Sequence, residues 1–482
     1  MSIKDDTEAR KMTEARGKHG MERGVEALQR LKDAGYEAYF VGGCVRDSLL
    51  AGKSGSETEL PAGKVDIDVT TDASPRQIKA VFSDMRTVDT GIKHGTVTVV
   101  LPPGGAGGDS LPVEITTYRT ETGYSDGRHP DSVEFTRSLT EDLKRRDFTV
   151  NAMAMDADGN IIDPFGGRRD LEARILKAVG DPDERFREDG LRIMRALRFS
   201  SVLGFAIERK TEEALSRNRR MLLKLSEERI FSEFKKLVTG GNAGVVVRGY
   251  IDVLGTVFPE LLAMKGFQQH NEYHRYDVLE HCVRAMETVM TVPENRLHMK
   301  MAALFHDVGK PLTYSEEDNG RGHFYGHASK GAEVVAEVME RFRADKALTE
   351  RVVTLVRYHD LIFEEDERLL KKWMRRFTPE VLFEILEIKR ADNLATGNMG
   401  EPLKAKFSRI SSMMEEIICQ GQCFSLRDLA VDGKALMALG VKQGPEVGRI
   451  LESLLKAVVE DGVPNEKEKL LELAREKIAA RV

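Results

Sequence analysis

Three groups of residues in this 482-residue chain have the types and spacing to do chemistry. The first is Asp66 and Asp68, separated by one residue in a β-branched run, so that on a strand their carboxylates share a face. Two such carboxylates repel unless a cation lies between them, and hard oxygen ligands suit Mg²⁺, which also bridges phosphate oxygens. Glu114, in the later run Val113 to Tyr118, would complete the set. The second group is Gly42-Gly43-Cys44-Val45-Arg46-Asp47. Adjacent glycines let the backbone come close to a ligand, amides at a helix start favour anions, and a guanidinium adds a bidentate phosphate contact. Gly43 and Arg46 are therefore predicted to bind nucleotide phosphates.

Each of these groups has a bland alternative, a tight turn with a surface arginine or two solvated aspartates. Their order is more informative. A glycine phosphate loop, a strand carrying Asp-x-Asp and a third acid on a neighbouring strand describe a polymerase-like palm. There, two metals activate a hydroxyl and stabilise leaving pyrophosphate, and no protein nucleophile is needed.

The third group is a concentration of histidines. Eight of the eleven, His270, His274, His281, His298, His306, His323, His327 and His359, lie between about 270 and 395. His306-Asp307 can both reach one divalent cation if His281 and Asp392 close the shell, and imidazole with carboxylate suits a transition metal. His327 and His359 would supply a second metal position. The alternative for any one of them is a satisfied core histidine.

Elements must position these residues. Glu37 to Val41, Val65 to Thr70, Thr96 to Leu101, Val113 to Tyr118 and Val133 to Thr136 read as strands, and Val45 to Leu50 opens a helix. Gly52 to Gly63 and Pro102 to Pro112 read as flexible connections. From about Arg168 the apolar spacing is helical almost to the end. An α+β head therefore precedes an all-α body.

The head resembles the bacterial tRNA nucleotidyltransferase (CCA-adding) and poly(A) polymerase family. Gly42 to Asp47 with Asp66-Ile67-Asp68 match its first motif. Arg145 to Ala152, Asp163 to Gly167, Glu188 to Arg192 with Arg195 and Arg198, and Leu225 to Ile230 follow in order. The resemblance implies a polymerase-beta-like nucleotidyltransferase head and an all-α body. It also implies template-independent addition of CCA to the 3′ end of tRNA from CTP and ATP, with Mg²⁺ on Asp66 and Asp68. The order His281, His306-Asp307, Asp392 resembles the HD phosphohydrolase superfamily. That implies an HD-type helical domain holding a divalent transition metal, with phosphohydrolase action on RNA ends. The expected divisions are a lead-in over 1–24, a head over 25–168, a neck over 169–265, an HD domain over 266–400 and a tRNA-binding tail over 401–482. The stretch Phe424 to Glu468 is similar to the terminal helical region of Gram-positive-type CCA-adding enzymes.

Glu188 to Phe199 reads as one helix with Asp189 and Arg192 on a shared face. A carboxylate accepts from the exocyclic amine of cytosine or adenine, whereas uracil and guanine present a carbonyl oxygen at the matching position. The family resemblance assigns base selection to Asp189 and Arg192, and the triphosphate and sugar to Arg146, Arg195 and Arg198.

Net charge is −6, so nucleic acid would have to be held by local basic patches such as Lys144-Arg145-Arg146, Lys235-Lys236 and Lys371-Lys372 with Arg375-Arg376. No run approaches the roughly 18 apolar residues of a membrane helix, and the charged first twenty residues do not read as a secretory signal. Four scattered cysteines fit a reducing cytoplasm. The alternatives are a poly(A) polymerase, a specialist adding only A or only CC, and, in another class, a protein uridylyltransferase with an HD hydrolase. Asp189 argues against the last, because it disfavours uracil.

Overall fold

A computed structural model describes residues 21–52, 66–103, 109–122, 132–269, 275–318, 321–397 and 401–479. The chain divides into two compact units, Met1–Pro259 and Glu260–Val482.

The first unit opens with helix α1 over 21–33, so residues 21–24 are already helical and the expected lead-in does not reach Arg23 or Gly24. A seven-stranded sheet follows. Its strands are β1 (Ala38–Val41), β2 (Ile67–Thr71), β3 (Arg86–Gly91), β4 (Thr96–Leu101), β5 (Leu111–Thr117), β8 (Ala154–Met155) and β9 (Ile161–Ile162), in the order β3-β4-β5-β2-β1-β8-β9. Only β2 and β5 pair in parallel. Phe40, Ile67, Val69, Val97, Val99 and Ile115 are buried, which follows from period-2 alternation with one face on a core. The helices α2 (Gly43–Ala51), α3 (Pro75–Val81), α4 (Leu139–Lys144) and α5 (Gly167–Glu172) flank it. A Ser74–Gln77 capping box with proline in the first turn starts α3.

The expected strand near Val133 to Thr136 exists as β7 (Ser132–Phe135), but it pairs with β6 (Arg119–Thr122) in a separate ribbon rather than in the main sheet. Most of Gly52 to Gly63 lies outside the described residues. Strand β5 begins at Leu111, so the connection after β4 is shorter than its proline-bounded sequence predicts.

Beyond the sheet, a short parallel pair, β10 (Ile175–Leu176) and β11 (Ala206–Ile207), is set among α6 (Pro182–Glu188), α7 (Leu191–Leu203), α8 (Arg209–Asn218), α9 (Glu227–Val238) and α10 (Ala243–Leu254). The single helix expected over Glu188 to Phe199 is two helices. Asp189 is extended (φ −136°, ψ 104°) and its carboxylate accepts the Leu191 amide at 3.0 Å, a local bond that competes with continuing the helix. Gly190 follows because a Cβ there would lie 3.0 Å from Met221 Cβ. Asp189 and Arg192 therefore do not share one continuous helix face.

Among its described residues the second unit is helical apart from a small hairpin, β12 (Ser315–Glu316) with β13 (Gly322–His323). After α11 (Pro259–Met264), which begins at the junction, α12 (Val278–Thr288) packs on α13 (Arg296–Phe305) and α18 (Pro379–Ala395). The turn α14 (Lys310–Thr313) packs on helix α15 (His327–Arg341), which meets α16 (Lys346–Tyr358), and α16 packs on α13. Then α17 (Glu367–Arg376) and α19 (Glu401–Cys419) lead to α20 (Gly433–Ala438), α21 (Pro445–Val459) and α22 (Lys467–Ala479). The last three close a small core of their own around Leu436, Ile450, Leu454 and Leu470. Asp432 caps α20 by accepting the Ala435 amide. No described helix is long and apolar enough to cross a membrane.

Candidate active sites

In the head, parallel pairing sets Asp68 of β2 directly against Glu114 of β5, and partnered residues on neighbouring strands project to one face. Gly42, at φ +75°, approaches the same place: a Cβ on it would lie 3.1 Å from Arg146 Nη1 and 3.3 Å from Asp68 Oδ2. Burial raises the Asp68 carboxyl to about 6 against the pull of Arg146, with Glu114 and Asp66 adding their repulsion. A buried carboxyl that resists ionising beside two further acids is suited to a divalent cation. Beside it, Arg146 Nε is buried without a hydrogen-bond partner, which fits an anionic ligand. Cys44 is no nucleophile: burial pushes its thiol up to about 11.

The arginines predicted to hold nucleotide are each paired with an acid. Arg46 donates to Asp47 at 2.8 Å and to Asn151 at 2.8 Å. Arg146 lies 3.8 Å from Asp142, and Arg195 donates to Asp147 Oδ2 at 2.6 Å. Arg198 pairs with Glu233 at 2.6 Å, and burial lowers it to about 10 despite that partner. Three guanidiniums, those of Arg198, Arg46 and Arg195, lie over the ring of Phe199 at 3.7, 5.0 and 5.4 Å. Arg192 is 8% exposed. It donates to Glu188 at 2.6 Å and to the Arg145 carbonyl at 2.8 Å, so Arg192 does not stand on a solvated helix face. Asp189 Oδ2 lies 3.3 Å from Arg229 Nη2.

The second unit gathers the predicted histidines. His281 comes from α12, His306-Asp307 from the end of α13, His327 from the first residue of α15, His359 from the end of α16 and Asp392 from α18. His281 Nε2 is 3.1 Å from His306 Nε2 and 3.0 Å from Asp392 Oδ1. His327 Nε2 is 3.2 Å from His359 Nε2. Asp307 lies between the two clusters. Its Oδ2 is 3.2 Å from His306 Nε2, and its Oδ1 is 3.4 Å from His327 and 3.6 Å from His359.

The rings of His306, His327 and His359 each place Nδ1 2.7–2.8 Å from a backbone carbonyl. A carbonyl only accepts, so each Nδ1 carries a proton; burial lowers His327, whose Nε2 then offers a lone pair, whereas against burial Asp307 holds His306 well above the usual imidazole range, so that its Nε2 donates to the aspartates. Lone pairs aimed at one another at 3.2 Å fit a shared cation. Burial opposes ionisation of Asp307, but Lys310 and His306 outweigh it and hold the carboxyl well below the usual range. Asp392 is likewise held well below by its hydrogen bonds to His281 and His306. Gly309 permits the assembly, since a Cβ there would lie 2.2 Å from the His327 carbonyl.

Other histidines are used elsewhere: His298 pairs with Glu384 and His323 with Glu317, while His270 and His274 lie outside the described residues. The clusters open into a cavity of about 620 Å³.

Sequence reasoning missed the acids that orient the arginines. Asp47 and Glu188 stand inside the quoted motifs close to the arginines they serve, Arg46 and Arg192, which was the available signal; Asp147 stands in a quoted motif but serves Arg195, 48 residues on, and Asp142 and Glu233 carry no signal. It also missed Arg229, Lys310 and buried Cys282, whose thiol shares a three-residue group with His306 and Asp307.

Residues 38–177 match the poly A polymerase head domain, 204–264 the RNA- and SrmB-binding site of polymerase A, and 325–474 the tRNA nucleotidyltransferase domain 2. The chain is 36% identical over 451 residues to the CCA-adding enzyme of Latilactobacillus sakei, covering 93% of this chain and 96% of that one. It is also 36% identical to that of Limosilactobacillus reuteri, covering 93% and 95%. Among solved structures it is similar to the Bacillus stearothermophilus CCA-adding enzyme in complex with CTP, at 30% identity and a TM-score of 0.66 over 96% of this chain and 98% of that one. The Thermotoga maritima CCA-adding enzyme complexed with tRNA shares the fold at 20% identity and a TM-score of 0.54, covering 94% of each chain.

Proposed function

This chain belongs to the CCA-adding enzyme family, and on that premise we propose that it adds C, C and A to the 3′ end of tRNA from CTP and ATP, as a cytoplasmic enzyme. The observation that carries this is the pairing of Asp68 with Glu114 beside Gly42 and Arg146. Asp66 and Asp68, with Glu114, would hold Mg²⁺, which supplies activation of the terminal hydroxyl and charge neutralisation on the pyrophosphate. The protein's own part is to bind and orient. Arg146, Arg195 and Arg198, held in place by acids, present guanidiniums to the triphosphate, and Gly43 lets the backbone approach it. Asp189 accepts from the exocyclic amine of cytosine or adenine and meets the carbonyl of uracil or guanine acceptor to acceptor, while Arg192 donates to the base. The test is a tRNA transcript lacking its 3′ end, offered each nucleoside triphosphate singly and together. C, C and A followed by arrest supports the proposal. Long A tails indicate a poly(A) polymerase, partial addition a CC- or A-specialist, and uridylyl transfer to a protein excludes an RNA substrate.

The facing lone pairs of His327 and His359 favour a second activity. We infer that the six-residue cluster holds two divalent transition metals in an HD-type site and hydrolyses phosphoesters at RNA ends. Bound metal would supply an activated water and Lewis acidity. Ionised Asp307, which is buried, and ionised Asp392, which is half-buried, together with the Nε2 atoms of the four histidines, are the donors. His306→Ala should abolish metal-dependent hydrolysis and leave nucleotide addition intact; hydrolysis persisting in that variant would place the activity elsewhere.

A further inference from the structure

Phe199 of α7 is buried and meets Phe148 edge to face, with centroids 5.9 Å apart and planes at 83°. Core packing explains that contact. It does not explain the three guanidiniums over the same ring. Each stands in a different relation to Phe199. Arg195 lies four residues before it, a spacing at which side chains on one helix meet. Arg46 comes from α2, a distant part of the chain. Arg198 is its immediate neighbour, and residues at i and i+1 do not face each other on a helix. The Arg198 side chain must therefore fold across the ring to bring its guanidinium within 3.7 Å of the centroid.

Like charges gathered in this way repel. Each has an acid of its own, Asp47 for Arg46, Asp147 for Arg195 and Glu233 for Arg198. Three acids at separate places in the fold do not by themselves bring three arginines to one point. The ring is the partner all three share, and the negative face of an aromatic ring attracts a guanidinium most where water is excluded. Positive charge still dominates there: burial lowers Arg198 to about 10, and the repulsion of Arg195 and Arg46 adds to that against Glu233. The patch also adjoins the glycine turn, since a Cβ on Gly43 would lie 3.6 Å from Arg46 Nη2.

We propose that Phe199 is a positioning residue for the triphosphate: its π-electrons hold the guanidiniums of Arg46, Arg195 and Arg198 together before nucleotide arrives. This rests on the reading of those arginines as phosphate ligands given above, and adds what gathers them. An arginine loses much rotamer freedom when it is fixed, so guanidiniums already converged bind a polyphosphate at a lower ordering cost. Phe199 itself touches no phosphate. Its contribution is to affinity for the anion, and it takes no part in bond making at the RNA end.

The test replaces Phe199 in the full chain with mono-, di- and trifluorinated phenylalanine, introduced by nonsense suppression, and separately with leucine (Phe199→Leu). Each fluorine withdraws electron density from the ring face with little change in its size. Binding of inorganic tripolyphosphate is measured by calorimetry, KM and kcat for CTP by single-nucleotide extension of a tRNA transcript, and Tm by melting. Kd for tripolyphosphate and KM for CTP should rise together with each fluorine, reaching about tenfold in Phe199→Leu, the scale of one desolvated cation–π contact. At saturating CTP kcat should not move, and Tm should not fall along the fluorinated series. A loss confined to Phe199→Leu with a flat fluorinated series assigns the ring to packing and overturns the proposal, as does a fall in kcat with KM unchanged, or parental behaviour in every variant. Should the leucine variant fail to fold, the fluorinated series decides alone. Tripolyphosphate binding that follows the series in a protein that extends no RNA refutes nucleotide addition and retains the arginine patch. No binding of tripolyphosphate or CTP by the parent overturns both.

Discussion

His327 and His359 aim their Nε2 atoms at each other across 3.2 Å while both rings give their Nδ1 protons to backbone carbonyls. With both rings neutral no proton is left to bridge them, and a shared divalent cation would satisfy both lone pairs. Elemental analysis of protein purified without chelator should find about two transition-metal ions per chain. His359→Ala should retain one and Asp307→Asn, which touches both clusters, close to none. Full metal content in Asp307→Asn would contradict the bridging position of that carboxylate.

The Asp68 carboxyl is raised from 3.8 to about 6 by burial, with Glu114 and Asp66 adding to it against Arg146. Between about pH 4 and pH 6 the folded chain therefore holds a proton that the unfolded chain has released. Stability of the magnesium-free protein should fall as pH rises through that window and level off above it. Asp68→Asn should abolish nucleotide addition and, in EDTA, stabilise the protein above pH 6 by up to about 3 kcal/mol, with no gain below pH 4. Melting curves across this range check the sign; a lower Tm for the variant at pH 7.5 would count against the buried, acid-crowded setting.

Asp189 is held from two sides, by the Leu191 amide and by Arg229. If the carboxylate selects the base, loosening it should blur selection. Arg229→Ala should increase UTP incorporation relative to CTP about tenfold, the cost of one weakened charged hydrogen bond, and Asp189→Ala should do so more strongly than it slows CTP addition. Single-nucleotide extension assays measure both ratios. Unchanged rejection of UTP in Asp189→Ala would remove the protein-template mechanism.

Two glycines are required by contact rather than by backbone conformation. A Cβ on Gly167 would sit 2.2 Å from the Thr149 carbonyl, and one on Gly309 2.2 Å from the His327 carbonyl. Neither backbone oxygen can step aside as a side-chain tip can. Each alanine variant should lose about 2–4 kcal/mol of stability in denaturant melts. Gly309→Ala should also lower metal content, because it displaces the first turn of α15.

The strands of the head were legible because alternation and β-branched content are local properties: Thr96–Leu101 was read with its observed bounds. The edge strand Arg86–Gly91 was not, since its polar RTVDTG sequence has little to bury. The metal cluster was legible as residue types in order: His281, His306, His327 and His359 with Asp307 and Asp392 are the candidates, and helix packing brings them together, while His298, not among them, serves Glu384. The helix over Glu188 to Phe199 was misjudged because the side-chain bond of Asp189 and the contact of Gly190 with Met221 are tertiary facts that periodicity does not encode.

The alignment of Asp68 with Glu114 has a consequence for how the gene can vary in length. Nine positions, 102–110, separate β4 from β5. Residues can be gained or lost there without disturbing the acids, because the ladder restarts at Leu111. Removal of a single codon between Leu111 and Glu114 would instead turn the glutamate to the back of the sheet, exchanging an apolar neighbour into its place. Natural variation in this stretch should therefore be confined to the connection and stop sharply at the strand.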